Sequence, residues 1–202
     1  MRILGIESSC DDTSVALISH DGKTLQILAE KTASQIDVHK KYGGVVPEVA
    51  GRCHAEAIVP LIETVMEGQQ KPDAIAVTAG PGLITGLVVG VEAAKALSHL
   101  WDVPLVAVNH IEGHIHSVLL KEPGTTSKEQ IIFPALALVV SGGHTELILM
   151  SDHGKYEILG ATRDDAAGEC FDKVAKLLGF EYPGGPKISK YAAEGNSAKI
   201  DF

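Results

Sequence analysis

The alternation of apolar and polar positions opens the chain with strands. "RILGIE" (residues 2–7) is a short apolar run that reads as a buried strand. "SSCDDTS" follows as a polar turn, "VALISH" as a second strand and "DGKTLQILAEKTA" as a third. From Val46 the apolar spacing lengthens to a helical period, placing Val49, Ala57, Ile58, Leu61, Ile62 and Val65 on one face. "DAIAVT" returns to strand, and "AGPGLITG" leads into a helix over roughly residues 83–101. "VPLVAVN" is another strand and runs directly into the short helical segment "NHIEGHIHS".

The polar segment "KEPGTTSKEQ", which combines Pro, Gly, Ser and Thr, is the one clear linker. Beyond it the pattern restarts. "ALALVVSGGHTELILM" is strand, small-residue turn and strand, as "RILGIESSCDDTSVALI" was; "KYEILGATR" adds a third strand before a helix over roughly residues 166–178. Such an internal repeat predicts an α/β protein of two related lobes with a ligand cleft between them, the first over residues 1–125 and the second over 131–202. The second lobe has far less chain after its opening strands than the first, so the pattern predicts a truncated form with an incomplete second lobe.

Composition narrows the class. A chain of 202 residues with 45% apolar content can bury a substantial core. Its longest apolar stretch, "GLITGLVVGVEAAKAL", is interrupted by Glu92 and Lys95, which argues against a membrane span. Cys10, Cys53 and Cys170 are odd in number and in no Cys-x-x-Cys spacing, which predicts neither a disulfide framework nor a zinc knuckle and suits a reducing cytoplasm. The formal charge of −9 opposes nonspecific attraction to a polyanion. Contact with nucleic acid would then need a local patch or a basic partner. Lys31, Lys40, Lys41 and Arg52 are the densest cations and read as solvated surface.

The candidate chemistry centres on His110 and His114. Four residues apart on a helix, they share a face and can point two imidazole nitrogens at one ion, where a strand ends and a helix begins. The spacing does not select among zinc, iron, copper and nickel. His116 turns away from that face. Glu112 lies two residues after His110, so the segment is not the H-E-x-x-H zinc-protease motif, in which Glu directly follows the first His. A third ligand has to come from elsewhere.

Other motifs are weaker. Gly142 and Gly143 in "VVSGGHTE" permit close backbone approach to a phosphate or base, or simply close a hairpin. The small residues of "SSCDDTS" leave backbone N–H groups able to face an anion, and Asp11 and Asp12 there are either site carboxylates or strand terminators. "AGPGLITG" fits neither the P-loop nor the dinucleotide fingerprint and reads as a packing turn. "YPGGP" reads as a rigid turn. Asp164, Asp165 and Asp172 are surface residues by default, with Asp172 near enough to a cleft helix to reach a ribose.

Taken together, "GIESSCDDTS", "YGGVVPE", "TAGPGLITGL", "NHIEGHIHS", "LVVSGGHTEL", "DDAAGECFDKVAKLLG" and "YPGGP", in this order, resemble the TsaD (formerly Gcp) family across essentially the whole chain. The resemblance implies the two-lobed actin/hexokinase/Hsp70 ATPase fold built from ribonuclease H-like repeats. It also implies an acyltransferase that moves the threonylcarbamoyl group of threonylcarbamoyl-AMP to N6 of adenosine 37 in tRNAs reading codons that begin with A, releasing AMP. One divalent metal per subunit, Fe2+ or alternatively Zn2+, would be held by His110 and His114 with an aspartate nearer the C-terminus of family members. Adenylate binding would fall to Val139, Val140, Ser141, Gly142, Gly143, Asp172 and Gly185. Asp11 is the candidate general base. TsaB-like and TsaE-like proteins would be partners in the cytoplasm, with no membrane involved. The alternatives are a metallopeptidase, an older attribution for the family, and a noncatalytic TsaB-like scaffold.

Overall fold

The computed structural model describes residues 1–22, 24–120, 131–196 and 198–199; the linker "KEPGTTSKEQ" lies outside them. The chain divides into two compact units. One comprises Met1–Gln35 and Val45–Ile131, the other Ile36–Gly44 and Ile132–Phe202. Both are mixed α/β.

The first unit is a five-stranded sheet in the order β3-β2-β1-β4-β5. Strands β1 (Arg2–Glu7), β2 (Asp12–His20) and β3 (Leu25–Ser34) form an antiparallel meander, with a register shift between Leu17 and Ile18. Strands β4 (Ala74–Gly80) and β5 (Leu105–Asn109) continue the sheet parallel to β1. Leu4, Ile6, Val15, Leu17, Ile75 and Val77 alternate inward and form the core. Leu4, Leu17 and Ile75 are wholly buried, each worth about 2 kcal/mol in apolar surface removed from water.

Two helices cover this sheet. In α2 (Pro47–Met66) the buried positions Ala50, His54, Ile58, Leu61, Ile62 and Val65 recur at three- and four-residue intervals, which is why the segment folds as a helix with one face inward. In α3 (Ile84–Trp101) the buried face is Gly86, Leu87, Gly90 and Ala94. Small residues four apart let this helix approach the end of β1 closely. The first unit ends in the described residues with α4 (His110–Ser117).

Between β3 and α2 the chain makes a one-turn helix, α1 (Ile36–His39), and a 3₁₀ turn, Lys40–Tyr42, which group with the second unit. There β6 (Ala135–Val140), β7 (Thr145–Asp152) and β8 (Lys155–Ala161) form an antiparallel sheet, followed by α5 (Ala167–Leu177) and α6 (Gly185–Ala193). Val139, Ile148, Met150, Ala166 and Ala175 are its buried apolar residues. The outward alternation of β6 leaves Leu136, Leu138 and Val140 exposed. No helix among the described residues is long and apolar enough to cross a membrane.

Candidate functional site

The carboxyl ends of the parallel strands β1, β4 and β5 lie at one edge of the first sheet, where α/β folds place ligands. Each contributes one polar side chain: Glu7 ends β1, Thr78 lies near the end of β4 and Asn109 ends β5. Asn109 caps α4, its side chain accepting from the N–H groups of Ile111 at 2.8 Å and Glu112 at 3.4 Å. The cap fixes where the helix starts. His110 is therefore its first residue, and His114 stands one turn further on the same face.

The structure brings the two histidines together. Their Nε2 atoms are 3.0 Å apart, and the rings meet edge to face with centroids 4.4 Å apart. Two nitrogens bound to one ion at about 2.0–2.1 Å lie about 3 Å apart when the angle between them is near a right angle or somewhat wider. The pair therefore fits two adjacent corners of a coordination sphere. Among the described residues no group of three or more His, Cys, Asp or Glu gathers as a metal site.

Sequence reasoning overlooked Glu7. Its Oε2 lies 3.0 Å from His110 Nδ1 and accepts from the Thr78 hydroxyl at 2.6 Å, while its Oε1 accepts from the Ser9 N–H at 2.5 Å. Ser9 Oγ is 3.2 Å from the same Nδ1. Burial alone would raise the Glu7 pKa, but hydrogen bonds from His110, the Ser9 and Thr78 hydroxyls and the Ser9 amide outweigh it and hold the carboxyl down to about 2. Glu7 is thus a carboxylate at any physiological pH. One expectation is corrected here: the Ser9 N–H, one of the turn amides read as open to an anion, is bound to Glu7. The carboxylates of Glu7, Asp11 and Asp12 also surround the turn with negative charge.

The rest of the turn is anchored from below by His54, which is fully buried in α2. The carbonyl of Cys10 can only accept, so His54 Nε2–H donates to it at 3.0 Å. Nδ1 then accepts from the Thr13 hydroxyl at 2.7 Å. Glycines make room for this arrangement. A Cβ on Gly86 would meet the Ser8 carbonyl and the His54 ring, and one on Gly90 would strike Ser8 Oγ.

Asp11 is half-buried in this turn; its carbonyl accepts from Gln35 N–H at 3.0 Å, and its carboxylate is hydrogen-bonded to the Cys10 thiol. The Cys10 thiol is pushed up to about 12 by desolvation, then by Asp11, Asp12 and Glu7. The residue is exposed overall, and the neighbouring carboxylates act in the same direction as the burial of its thiol. The thiolate needed for nucleophilic work is suppressed at neutral pH. Iodoacetamide at about pH 7.5 is expected to label Cys10 roughly tenfold or more slowly than a free cysteine peptide; equal rates, read by mass spectrometry, would remove the carboxylate effect.

In the second unit, the Ser141–Gly143 turn is closed by Ser141 N–H donating to the His144 carbonyl at 2.8 Å and His144 N–H to Ser141 Oγ at 3.0 Å. It abuts the N-terminus of α5, where Gly168 N–H donates to the Ser141 carbonyl at 3.1 Å and Ala167 N–H to Thr145 Oγ1 at 2.9 Å. A Cβ on Gly168 would collide with Ser141 and Gly142. Val139 points into the core and Val140 to solvent. Asp172 is half-buried rather than plain surface: its Oδ1 accepts from Gly184 N–H at 2.7 Å and Gly185 N–H at 3.3 Å. The last residues of "YPGGP" are not part of a free-standing turn, because Gly185 and Pro186 begin α6. Asp165 pairs with Lys173 at 2.6 Å, and Lys40, one of the four cations noted above, pairs with Glu181 at 2.8 Å.

Comparison with known proteins adds a relationship. The family described as TsaD, tRNA N6-adenosine threonylcarbamoyltransferase, matches residues 26–202. A protein of that name from Thermomicrobium roseum is 50% identical across 100% of this chain and 56% of its own length, and one from Bacillus subtilis is 52% identical across 97% and 55%. The chain thus spans little more than half the length of these curated relatives. Among solved structures, YeaZ from Pseudomonas aeruginosa is similar over 84% of this chain and 70% of its own, at 20% identity and a TM-score of 0.47.

Proposed function

From the premise that the chain belongs to the TsaD family of tRNA N6-adenosine threonylcarbamoyltransferases, we propose that it transfers the threonylcarbamoyl group of threonylcarbamoyl-AMP to N6 of adenosine 37 in tRNA, releasing AMP. The exocyclic amine of adenine is a weak nucleophile, its lone pair being delocalised into the ring. An acyl group activated as a mixed anhydride with AMP answers that weakness. The observation that carries the reading is the convergence of His110 and His114 at 3.0 Å where three strands end.

His110 and His114 would hold one divalent metal, Fe2+ or Zn2+. Bound there, the ion would supply a Lewis acid for the donor carbonyl. The chain's own residues have distinct tasks in this reading. In the Ser141–Gly143 turn the Ser141 N–H is taken up by the His144 carbonyl, and the amides of Gly142 and Gly143 would face the adenylate phosphate. Val139 and Val140 carry that turn. Asp172 holds Gly184 and Gly185 in place with one oxygen and keeps the other for a ribose hydroxyl. Asp11 is proposed as the base that takes the amine proton. The net charge of −9 is offset through TsaB-like and TsaE-like partners that share the tRNA contact, and the work belongs in the cytoplasm.

Nucleoside mass spectrometry tests the assignment. Unmodified tRNA is incubated with threonine, bicarbonate, ATP, the adenylate-forming synthase and the partner proteins. The 202-residue chain is added in one arm and a chain extended to the relatives' length in another. Threonylcarbamoyladenosine in the extended arm is the expected result, and its absence from both arms would overturn the transferase reading.

A further inference from the structure

We propose that Glu7 is a positioning residue: it fixes His110 as the Nδ1–H tautomer and so aims the Nε2 lone pair of His110 at the point it shares with His114. The inference deepens the metal reading above and rests on it for its purpose, though not for its geometry.

Three facts converge. First, the carboxylate is immobilised from three elements. Ser9 N–H in the turn holds Oε1 at 2.5 Å, the Thr78 hydroxyl on β4 holds Oε2 at 2.6 Å, and the backbone of Glu7 is itself the last residue of the central strand β1. Thr78 is 7% exposed and Ser9 3%, so neither donor has a competing water shell. Second, both oxygens of Glu7 already accept, Oε1 from the Ser9 N–H and Oε2 from the Thr78 hydroxyl, so the side chain meets Nδ1 as an acceptor. A hydrogen bond of 3.0 Å between Oε2 and Nδ1 therefore requires the imidazole proton to sit on Nδ1. Third, a neutral imidazole with its proton on Nδ1 has its lone pair on Nε2, the atom that faces His114 Nε2 at 3.0 Å. The opposite tautomer would put a hydrogen where a metal must bind. A carboxylate behind a ligating histidine also raises the basicity of the ligating nitrogen, and losing such a partner costs about 10–100-fold in metal affinity.

Glutamine at position 7 is the informative change because it keeps shape and volume. Its amide has one acceptor oxygen and one NH2 group, whereas Glu7 accepts donors at both oxygens. If the oxygen keeps Ser9, the NH2 group confronts Thr78 and Nδ1, and His110 is driven to the Nε2–H tautomer. If the oxygen kept Thr78 and His110, the NH2 group would confront the Ser9 amide, which can only donate; the Thr78 hydroxyl and Nδ1 can both turn acceptor, so the first arrangement is the expected one.

The experiment has two readouts on the 202-residue chain and its Glu7→Gln and Thr78→Val variants. The 15N shifts of the His110 ring report the tautomer, and Co2+ titration against a competing chelator reports affinity. The parent is expected to show Nδ1–H. Glu7→Gln should show loss of that pattern and roughly 10–100-fold weaker Co2+ binding, whereas Thr78→Val, which leaves the carboxylate on Nδ1, should keep the tautomer and weaken Co2+ binding by less. A folded Glu7→Gln variant with the parental ring shifts and Co2+ affinity within about twofold would overturn the proposal. If Glu7→Gln does not fold, a parent chain whose ring shifts show Nε2–H overturns it instead. A parent that shows Nδ1–H, loses it in Glu7→Gln, and takes up no Co2+ supports the role of Glu7 while removing the metal reading.

Discussion

Replacing His114 by alanine is expected to abolish metal retention while leaving the fold intact. The imidazole is exposed, and the side chains that anchor α4 are Ile111 at 7% and Ile115 at 6% exposure on its other face. Alanine also has the higher helix propensity, by about 0.5 kcal/mol. Thermal stability without metal should therefore be unchanged or slightly raised. Metal affinity should fall by more than about 100-fold, beyond what loss of an outer partner costs, because a ligand itself is removed. In the extended chain, formation of threonylcarbamoyladenosine should drop to background. Elemental analysis after dialysis checks the first effect and nucleoside mass spectrometry the second. A variant that holds zinc or iron as tightly as its parent would sink the histidine-pair reading.

The second large effect is structural and lies below the same site. Gly86→Ala is expected to destabilise the first unit by about 3 kcal/mol, at the upper end of overpacking penalties. The added carbon would meet the Ser8 carbonyl and, at 3.0 Å, the ring of His54. Neither can yield cheaply. Ser8 is fully buried with its hydroxyl bonded to the Gly86 carbonyl at 3.0 Å, and His54 is held at both nitrogens. The expected fall in melting temperature is roughly 10 °C. Gly113→Ala is the matched control: it lies in α4, a Cβ there meets nothing within 4 Å, and the helical residue should gain about 0.5–1 kcal/mol. If both variants melt alike, close packing of α3 on the turn is not what holds the site.

The elements that apolar spacing could reveal are the ones it did reveal. Strands β1, β4 and β5 follow from uninterrupted apolar runs, and α2 and α3 from their apolar periodicity. The repeat of "SSCDDTS" and "VVSGGHTE" signalled a second sheet. His110 and His114 were legible because a four-residue interval encodes a shared face. Glu7 was not: it closes an apolar run like any polar strand terminator, and its partners Thr78 and His110 are about seventy and one hundred residues away in sequence. His54 was hidden for the complementary reason, since a polar residue within an apolar stripe declares its partners, Thr13 and the Cys10 carbonyl, only once the sheet is assembled. The small turn residues promised open amides, whereas tertiary structure bound one of them to a carboxylate. The helical start at Gly185 was obscured by the Pro-Gly-Gly-Pro run, which reads as a turn until Asp172 is seen accepting from its amides.

The place of β1 at the centre of its sheet also bears on how the protein is made. Its hairpin with β2 is available as soon as residues 2–20 have left the ribosome, but its other edge waits for β4, with Ile3 pairing to Ala74. At synthesis rates of about 5–20 residues per second that edge stays open on the order of ten seconds. The open edge belongs to an apolar strand, the kind of template that recruits foreign strands. Translation speed across the α2 region thus sets a window of exposure for the nascent chain. Codon changes that slow this stretch should lower the soluble yield without altering a single residue.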